Sequence, residues 1–139
     1  MKVDKDLVVF ISGGASGFGE CTALRLSSQG CKIIACDIDQ DALDALKTKI
    51  TSNLFTIKAD VTKEDQVKRA VEEGTKHFGA LHVAFASAGV MNLSPLLTER
   101  AILDTEAAKK QFEINVYGAM HVAKYAAAQM AKNKPNELG

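Results

Sequence analysis

A chain of 139 residues with 47% hydrophobic residues is the size of one ordinary domain, long enough to bury a single core and too apolar to stay disordered. Its 17 Lys and Arg balance 17 Asp and Glu, and no basic run stands out locally, which argues against a nucleic-acid partner. Residues 1–6 alternate Lys and Asp before a short apolar run, so neither a signal peptide nor a bilayer-spanning stretch is expected, and the chain reads as soluble and intracellular with no membrane partner.

In chain order, Leu7, Val8, Val9, Phe10 and Ile11 form a continuous apolar run, the pattern of a strand covered on both faces. A helix is predicted over 17–29, with Cys21, Ala23, Leu24 and Leu26 inward and Gly30 at its C-terminal cap. Residues 32–37 (KIIACD) read as a second strand, and Asp39 then caps a helix that buries Leu43, Leu46 and Ile50. A third strand covers 54–59. Thr62 and Asp65 approximate a capping box for the next helix, whose inward side is Val67, Ala70, Val71 and Phe78. Its outer face offers Glu64–Lys68, Asp65–Arg69 and Glu72–Lys76 as i,i+4 ion pairs, and Gly79 closes it.

Residues 81–87 (LHVAFAS) form a fourth strand, a loop follows over 88–104, and a long last helix is predicted over 105–133. Strand and helix alternate throughout, without an internal repeat. The expected architecture is a single α/β domain over 1–139, a doubly wound parallel sheet of the Rossmann type that stops after the fourth strand and its following helix. Cys21, Cys31 and Cys36 lack CxxC spacing and read as reduced core cysteines, and the scattered His77, His82 and His121 give no support for a metal site.

The segment Ser12-Gly13-Gly14-Ala15-Ser16-Gly17-Phe18-Gly19 joins the first strand to the first helix. In a parallel sheet this turn lies at the carboxyl end of the strands, where a helix start offers unpaired N–H groups and a partial positive charge to a phosphate. Glycine permits the tight turn and the close approach of a ligand, and Ser12 and Ser16 could add hydroxyl donors. A turn that merely needed glycine is the plainer alternative. No Lys-Ser/Thr follows, so this is not a Walker A loop, and position 22 is Thr rather than the glycine of GxGxxG. Asp37 ends the second strand 18 positions after Gly19, where a dinucleotide fold places an acid to accept from the adenosine ribose; a carboxylate there repels a 2′-phosphate and selects NAD over NADP.

Gly13, Gly17 and Gly19 follow the pattern TGxxxGxG with Ser12 in place of Thr, and on this the chain resembles the short-chain dehydrogenase/reductase family. The resemblance implies that Ser12, Gly13, Ser16, Gly17, Phe18, Gly19 and Asp37 bind NAD. It also implies that the Asp60 side chain and the Val61 backbone contact the adenine. Ala86-Ser87-Ala88-Gly89 stands at the family's NNAG position, with both Asn replaced; Ala88 and Gly89 agree and are expected against the cofactor. Asn115, in Asn115-Val116-Tyr117-Gly118, matches the catalytic Asn that holds a water in the proton relay. SGGASGFGE, ADVT, the insertion over 91–107 and QMAKNKP resemble the branch that oxidises 3-hydroxyacyl-CoA or hydroxysteroid substrates.

The family's chemistry also needs a Ser and a Tyr-x-x-x-Lys pair, in which the Lys lowers the Tyr pKa for proton exchange with the alcohol or ketone. Here Tyr117 is followed four residues later by His121 and Tyr125 by Gln129. The expectation is a truncated, NAD-binding half that is inactive alone. A non-catalytic nucleotide-binding or dimerisation module is the alternative. An apolar fourth strand left at a sheet edge, and a last helix with Phe112, Val116, Met120, Ala123, Ala127 and Met130 on one side and small Gly118, Ala119 and Ala126, point the same way. The resemblance further implies a homo-oligomer, dimer or tetramer, in the cytoplasm or alternatively the mitochondrial matrix.

Overall fold

The computed structural model describes residues 2–91, 96–98 and 102–134. Its elements are β1 (Val8–Ser12), α1 (Gly17–Ser27), β2 (Lys32–Asp37), α2 (Gln40–Lys49), β3 (Leu54–Lys58), α3 (Glu64–Phe78), β4 (Val83–Ala86), α4 (Thr105–Phe112), a π-helical segment (Glu113–Gly118) and α5 (Ala119–Met130). The four strands make one parallel sheet in the order β3-β2-β1-β4. The alternation of strand and helix thus produces the expected doubly wound arrangement.

Side chains alternate across the pleat, so each central strand feeds two cores. Val8, Phe10, Ile34 and Cys36 point to the side where α3 and α5 supply Val67, Ala70, Val71, Val122 and Ala126. Val9, Ile11, Ile33 and Ala35 point to the other, where α1 and α2 supply Ala23, Leu43 and Leu46. Every residue of β1 is buried, which is why its run is apolar without a polar face.

Several local expectations are corrected. Helix α1 ends at Ser27, and the turn closes with Gly30 N–H on the Ser27 carbonyl and Cys31 N–H on Leu26. Cys21 is exposed rather than inward; only Cys31 and Cys36 are buried. The capping box at α3 does not form, because the Thr62 hydroxyl and amide both turn back to Asp60 Oδ1, at 2.8 and 2.9 Å. The Asp60 carboxylate satisfies both groups of Thr62 in a local turn, and the N-cap position falls on Lys63, one residue later. Nor do the three pairs within α3 reach ion-pair distance. Glu64 instead crosses to α5, 2.5 Å from Lys124 Nζ and 2.6 Å from the Tyr125 hydroxyl.

The long last helix is continuous but not uniform: α4 runs through six residues of wider i→i+5 turn into α5, which ends at Met130 rather than 133. Gly118 and Ala126 face inward, Gly118 so close to Val61 that a Cβ would sit 2.7 Å from Val61 Cγ2, so they are not surface for another helix. Phe112, Val116 and Met120 are exposed as expected. Strand β4 is the sheet edge, shorter than read from its apolar run, with Leu81 buried just before it and Ala86 exposed at its end. QMAKNKP ends at position 135 and the insertion over 91–107 includes 92–95 and 99–101, all outside the described residues.

Candidate functional site

The glycine turn leaves β1 at the carboxyl edge of the sheet and is fixed from two sides. Gly14 N–H donates to the Cys36 carbonyl at 3.0 Å, and Ala15 N–H donates to Asp37 Oδ2 at 3.1 Å. Gly13, at φ +64°, lies so close to the chain after β4 that a Cβ would come within 2.7 Å of Ala88 Cα. At Gly19 a Cβ would run into the Gly13 carbonyl oxygen. Gly13 is demanded by packing against the chain after β4, and Gly19 by packing of the turn on itself. Gly17 differs: it has φ +50° and nothing within 4 Å of a Cβ position, so its backbone faces open space.

Helix α1 starts there without a side-chain cap, since Ser16, its N-cap residue, makes no capping bond. The first N–H groups of the helix, from Gly17 onward, therefore keep their positive dipole end and no capping side chain. Glu20 is the sole acid in that first turn, and its carboxylate is drawn to Lys49. Phe18, 85% exposed, stands at the mouth of the turn. Ser12 is buried and its hydroxyl accepts from Ala88 N–H at 3.4 Å. It holds the turn to the β4 end, while Ser16 alone of the two serines is exposed to the opening.

Asp37 is 9% exposed. Its Oδ2 takes the Ala15 amide and its Oδ1 takes the Asp39 amide at 3.1 Å, so the carboxylate is locked beside the glycine turn rather than solvated. Each carboxylate oxygen retains a second acceptor position. This tethering role is one that spacing alone did not reveal; the signal was Asp-x-Asp after a strand, which the second Asp obscures by acting as the α2 cap.

Beyond Asp37 a cleft of about 530 Å³ opens between the β2 end, the β3 end and the last helix, lined among others by Ile38, Asp60, Thr62, Lys110, Glu113 and Ile114. Val61 lies behind this wall, buried, with its carbonyl on His121 Nδ1 at 2.9 Å. Gly89 approaches Asn115, whose Oδ1 would be 3.3 Å from a Cβ there. Asn115 itself engages the Val90 backbone in two bonds and sits in the π segment. Such wide turns recur where a helix must aim a side chain at a site. Thus Ser16, Gly17 and Phe18 are exposed at the glycine turn that Asp37 holds, Asp60 lines the cleft beyond it, Gly89 and Asn115 meet on the β4 side, Ser12, Gly19 and Val61 are buried, and Gly13 and Ala88 are half-buried against each other. A shallower hollow of about 370 Å³, with Thr75, Lys76 and Asn133, lies between the C-terminal ends of α3 and α5, away from the glycine turn.

A four-stranded parallel sheet with order β3-β2-β1-β4, helices on both faces and a glycine turn at the carboxyl end of its first strand defines a Rossmann-like α/β fold. The chain belongs to the short-chain dehydrogenase family, whose model, described as short chain dehydrogenase, matches residues 7–137. It is 32% identical over 137 residues to 3-hydroxyacyl-CoA dehydrogenase type-2 of Homo sapiens, covering 97% of this chain and 52% of that protein. With secoisolariciresinol dehydrogenase of Forsythia intermedia it shares 36% identity over 126 residues, 88% of this chain and 44% of the relative. A solved short-chain type dehydrogenase/reductase from Mycobacterium ulcerans superposes with a TM-score of 0.84 at 29% identity, over 93% of this chain and 48% of that one. The chain spans about half the length of the curated relatives it matches. Among the described residues, no helix is long and apolar enough to cross a membrane.

Proposed function

We propose that these residues form the NAD-binding part of an oxidoreductase that transfers hydride between NAD and a secondary alcohol or ketone, a 3-hydroxyacyl-CoA or hydroxysteroid among the candidates. The observation that carries this reading is the juxtaposition of the uncapped α1 start, opening at Gly17, with the buried carboxylate of Asp37. The turn fits a dinucleotide: the helix start suits a diphosphate, and Asp37 suits ribose hydroxyls while repelling a 2′-phosphate. Bound NAD supplies a nicotinamide ring that accepts or returns hydride.

In this reading Gly17, Phe18 and Gly19 N–H groups and the Ser16 hydroxyl hold the diphosphate. Asp37 orients the ribose, using the acceptor positions left by Ala15 and Asp39. Asp60 and the Val61 backbone border the adenine, and Ala88 and Gly89 let the chain after β4 approach the ring end. Asn115 has one N–H and one lone pair beyond its bonds to Val90, enough to hold a relay water. The 139 residues contain no Tyr-x-x-x-Lys, so the proton-exchanging acid of the family is not among them, and the chain as given is expected to bind NAD without turning over alcohols. The larger protein reading extends to a homo-oligomer and an alcohol or ketone partner, in the cytoplasm or the mitochondrial matrix.

Calorimetric titration with NAD and NADP tests the proposal. NAD binding that exceeds NADP binding, with the preference eroded in Asp37→Ala, is the expected result. Tighter NADP binding, or binding of neither, overturns it.

A further inference from the structure

His121 projects from α5 to the loop after β3 and is 16% exposed at its side chain. Its Nδ1 lies 2.9 Å from the Val61 carbonyl oxygen. A carbonyl can only accept, so the proton of the neutral ring is on Nδ1, and Nε2 presents a lone pair. That Nε2 faces Glu64 Oε2 on α3 at 3.8 Å. The other oxygen of Glu64 is taken by Lys124 and Tyr125 of α5, at 2.5 and 2.6 Å. Glu72, also on α3, acts on the Tyr125 hydroxyl from farther off.

The ring therefore donates to the Val61 carbonyl through Nδ1 whatever the state of Nε2, and the Glu64 carboxylate stands at ion-pair range on the other side. Val61 in turn is the residue between Asp60 and Thr62, two residues that line the cleft beyond Asp37. Its side chain is wedged against Gly118, so a shift of its carbonyl moves the cleft wall.

We propose that His121 is a positioning residue for the dinucleotide: by holding the Val61 carbonyl it fixes the Asp60–Thr62 wall that borders the adenosine end. The inference rests on the dinucleotide reading above.

The test uses the full chain, His121→Asn, which keeps a donor near the Nδ1 position but cannot charge, and His121→Leu, which keeps neither. NAD affinity is measured by calorimetry, and the backbone amide chemical shifts of Val61 and Thr62 are compared between wild type and the two variants in the NAD-free chain. Expected are a loss of about five- to tenfold in NAD affinity for His121→Leu, near wild-type affinity for His121→Asn, and Val61 and Thr62 amides displaced in His121→Leu and restored toward wild type in His121→Asn. Full NAD affinity in His121→Leu, or a loss in His121→Asn as large as in His121→Leu, overturns the proposal. If wild type binds no dinucleotide, the parent reading fails, and the unliganded amide shifts still decide whether His121 governs the wall: Val61 and Thr62 amides unmoved in His121→Leu overturn that role, and a displacement that His121→Asn reverses supports it.

Discussion

Asn115 holds both backbone polar groups of Val90: its Oδ1 accepts from the Val90 N–H at 2.9 Å, and its Nδ2 donates to the Val90 carbonyl at 2.8 Å. One side-chain amide thus stands in for a neighbouring strand and ties the chain leaving β4 to the π segment. Replacing Asn115 with Ala removes both bonds. Because Val90 is exposed, water takes over its groups, and the expected loss of stability is modest, about 1 kcal/mol. Hydrogen exchange at the Val90 amide should accelerate well beyond that of β1; an unchanged rate there would contradict the clamp.

Two glycines of the turn, Gly17 and Gly19, are expected to respond differently to alanine. At Gly17 a methyl meets nothing within 4 Å, so only the strain of φ +50° is felt, a cost of about 1–2 kcal/mol. At Gly19 the methyl collides with the backbone of Gly13, and a rigid carbonyl cannot move aside as a flexible side chain can. Gly19→Ala should therefore lower the melting temperature far more than Gly17→Ala. Equal melting temperatures for the two variants would mean the turn is looser than described.

Burial pushes the Cys36 thiol up to about 12, with the charge of Asp37 adding to the effect. Its folded value is above that of an unfolded thiol, about 8.5, so the unfolded chain ionises first as the solution becomes alkaline. The stability this thiol contributes is present below the unfolded value and is lost as pH rises toward about 12. Cys36→Ala should flatten that alkaline decline in denaturant titrations. In the native chain iodoacetamide is expected to reach exposed Cys21 well ahead of Cys31 and Cys36; mass mapping that finds Cys36 labelled early would refute this.

Glu64 is held below the usual carboxylate range by its hydrogen bond from Lys124, then by that from Tyr125. A depressed carboxylate stabilises the fold above its unfolded value and ceases to do so as pH falls through its folded one. Glu64→Gln should therefore show a shallower loss of stability on acidification than the parent chain, measured by urea midpoints at successive pH values. A parallel pair of curves would remove Glu64 from the acid response.

Much of the architecture is legible because β1 and β2 are apolar on both faces and the helices between them carry one apolar stripe each. The bounds of β2 follow from KIIACD, and the Asp39 cap from its place before Leu43. Less legible is anything that depends on competition between partners. Thr62 bonds to Asp60 instead of capping α3, and Glu64 reaches Lys124 across a helix seam rather than Lys68 along its own helix. Cys21 is exposed because α1 buries only a narrow stripe, chiefly Gly19 and Ala23. In the site, the glycine turn and Asp37 stand out by spacing, while His121 does not, since a lone His on an apolar helix carries no pattern and its meaning comes from Val61, sixty residues earlier.

The π segment sets the orientation of everything after it. In an α-helix of 3.6 residues per turn, residues four apart drift by about 40° at each step, and a stripe built on that spacing winds around the rod. The wider turn over Glu113–Gly118 absorbs that drift, so Phe112, Val116 and Met120 stay on the solvent side while Val122 and Ala126 return to the sheet. Shortening the segment by one residue would rotate α5 by about 100° and swing those two side chains out of the core. Angular phase, written into the backbone rather than into hydrophobicity, decides which side of this helix is inside.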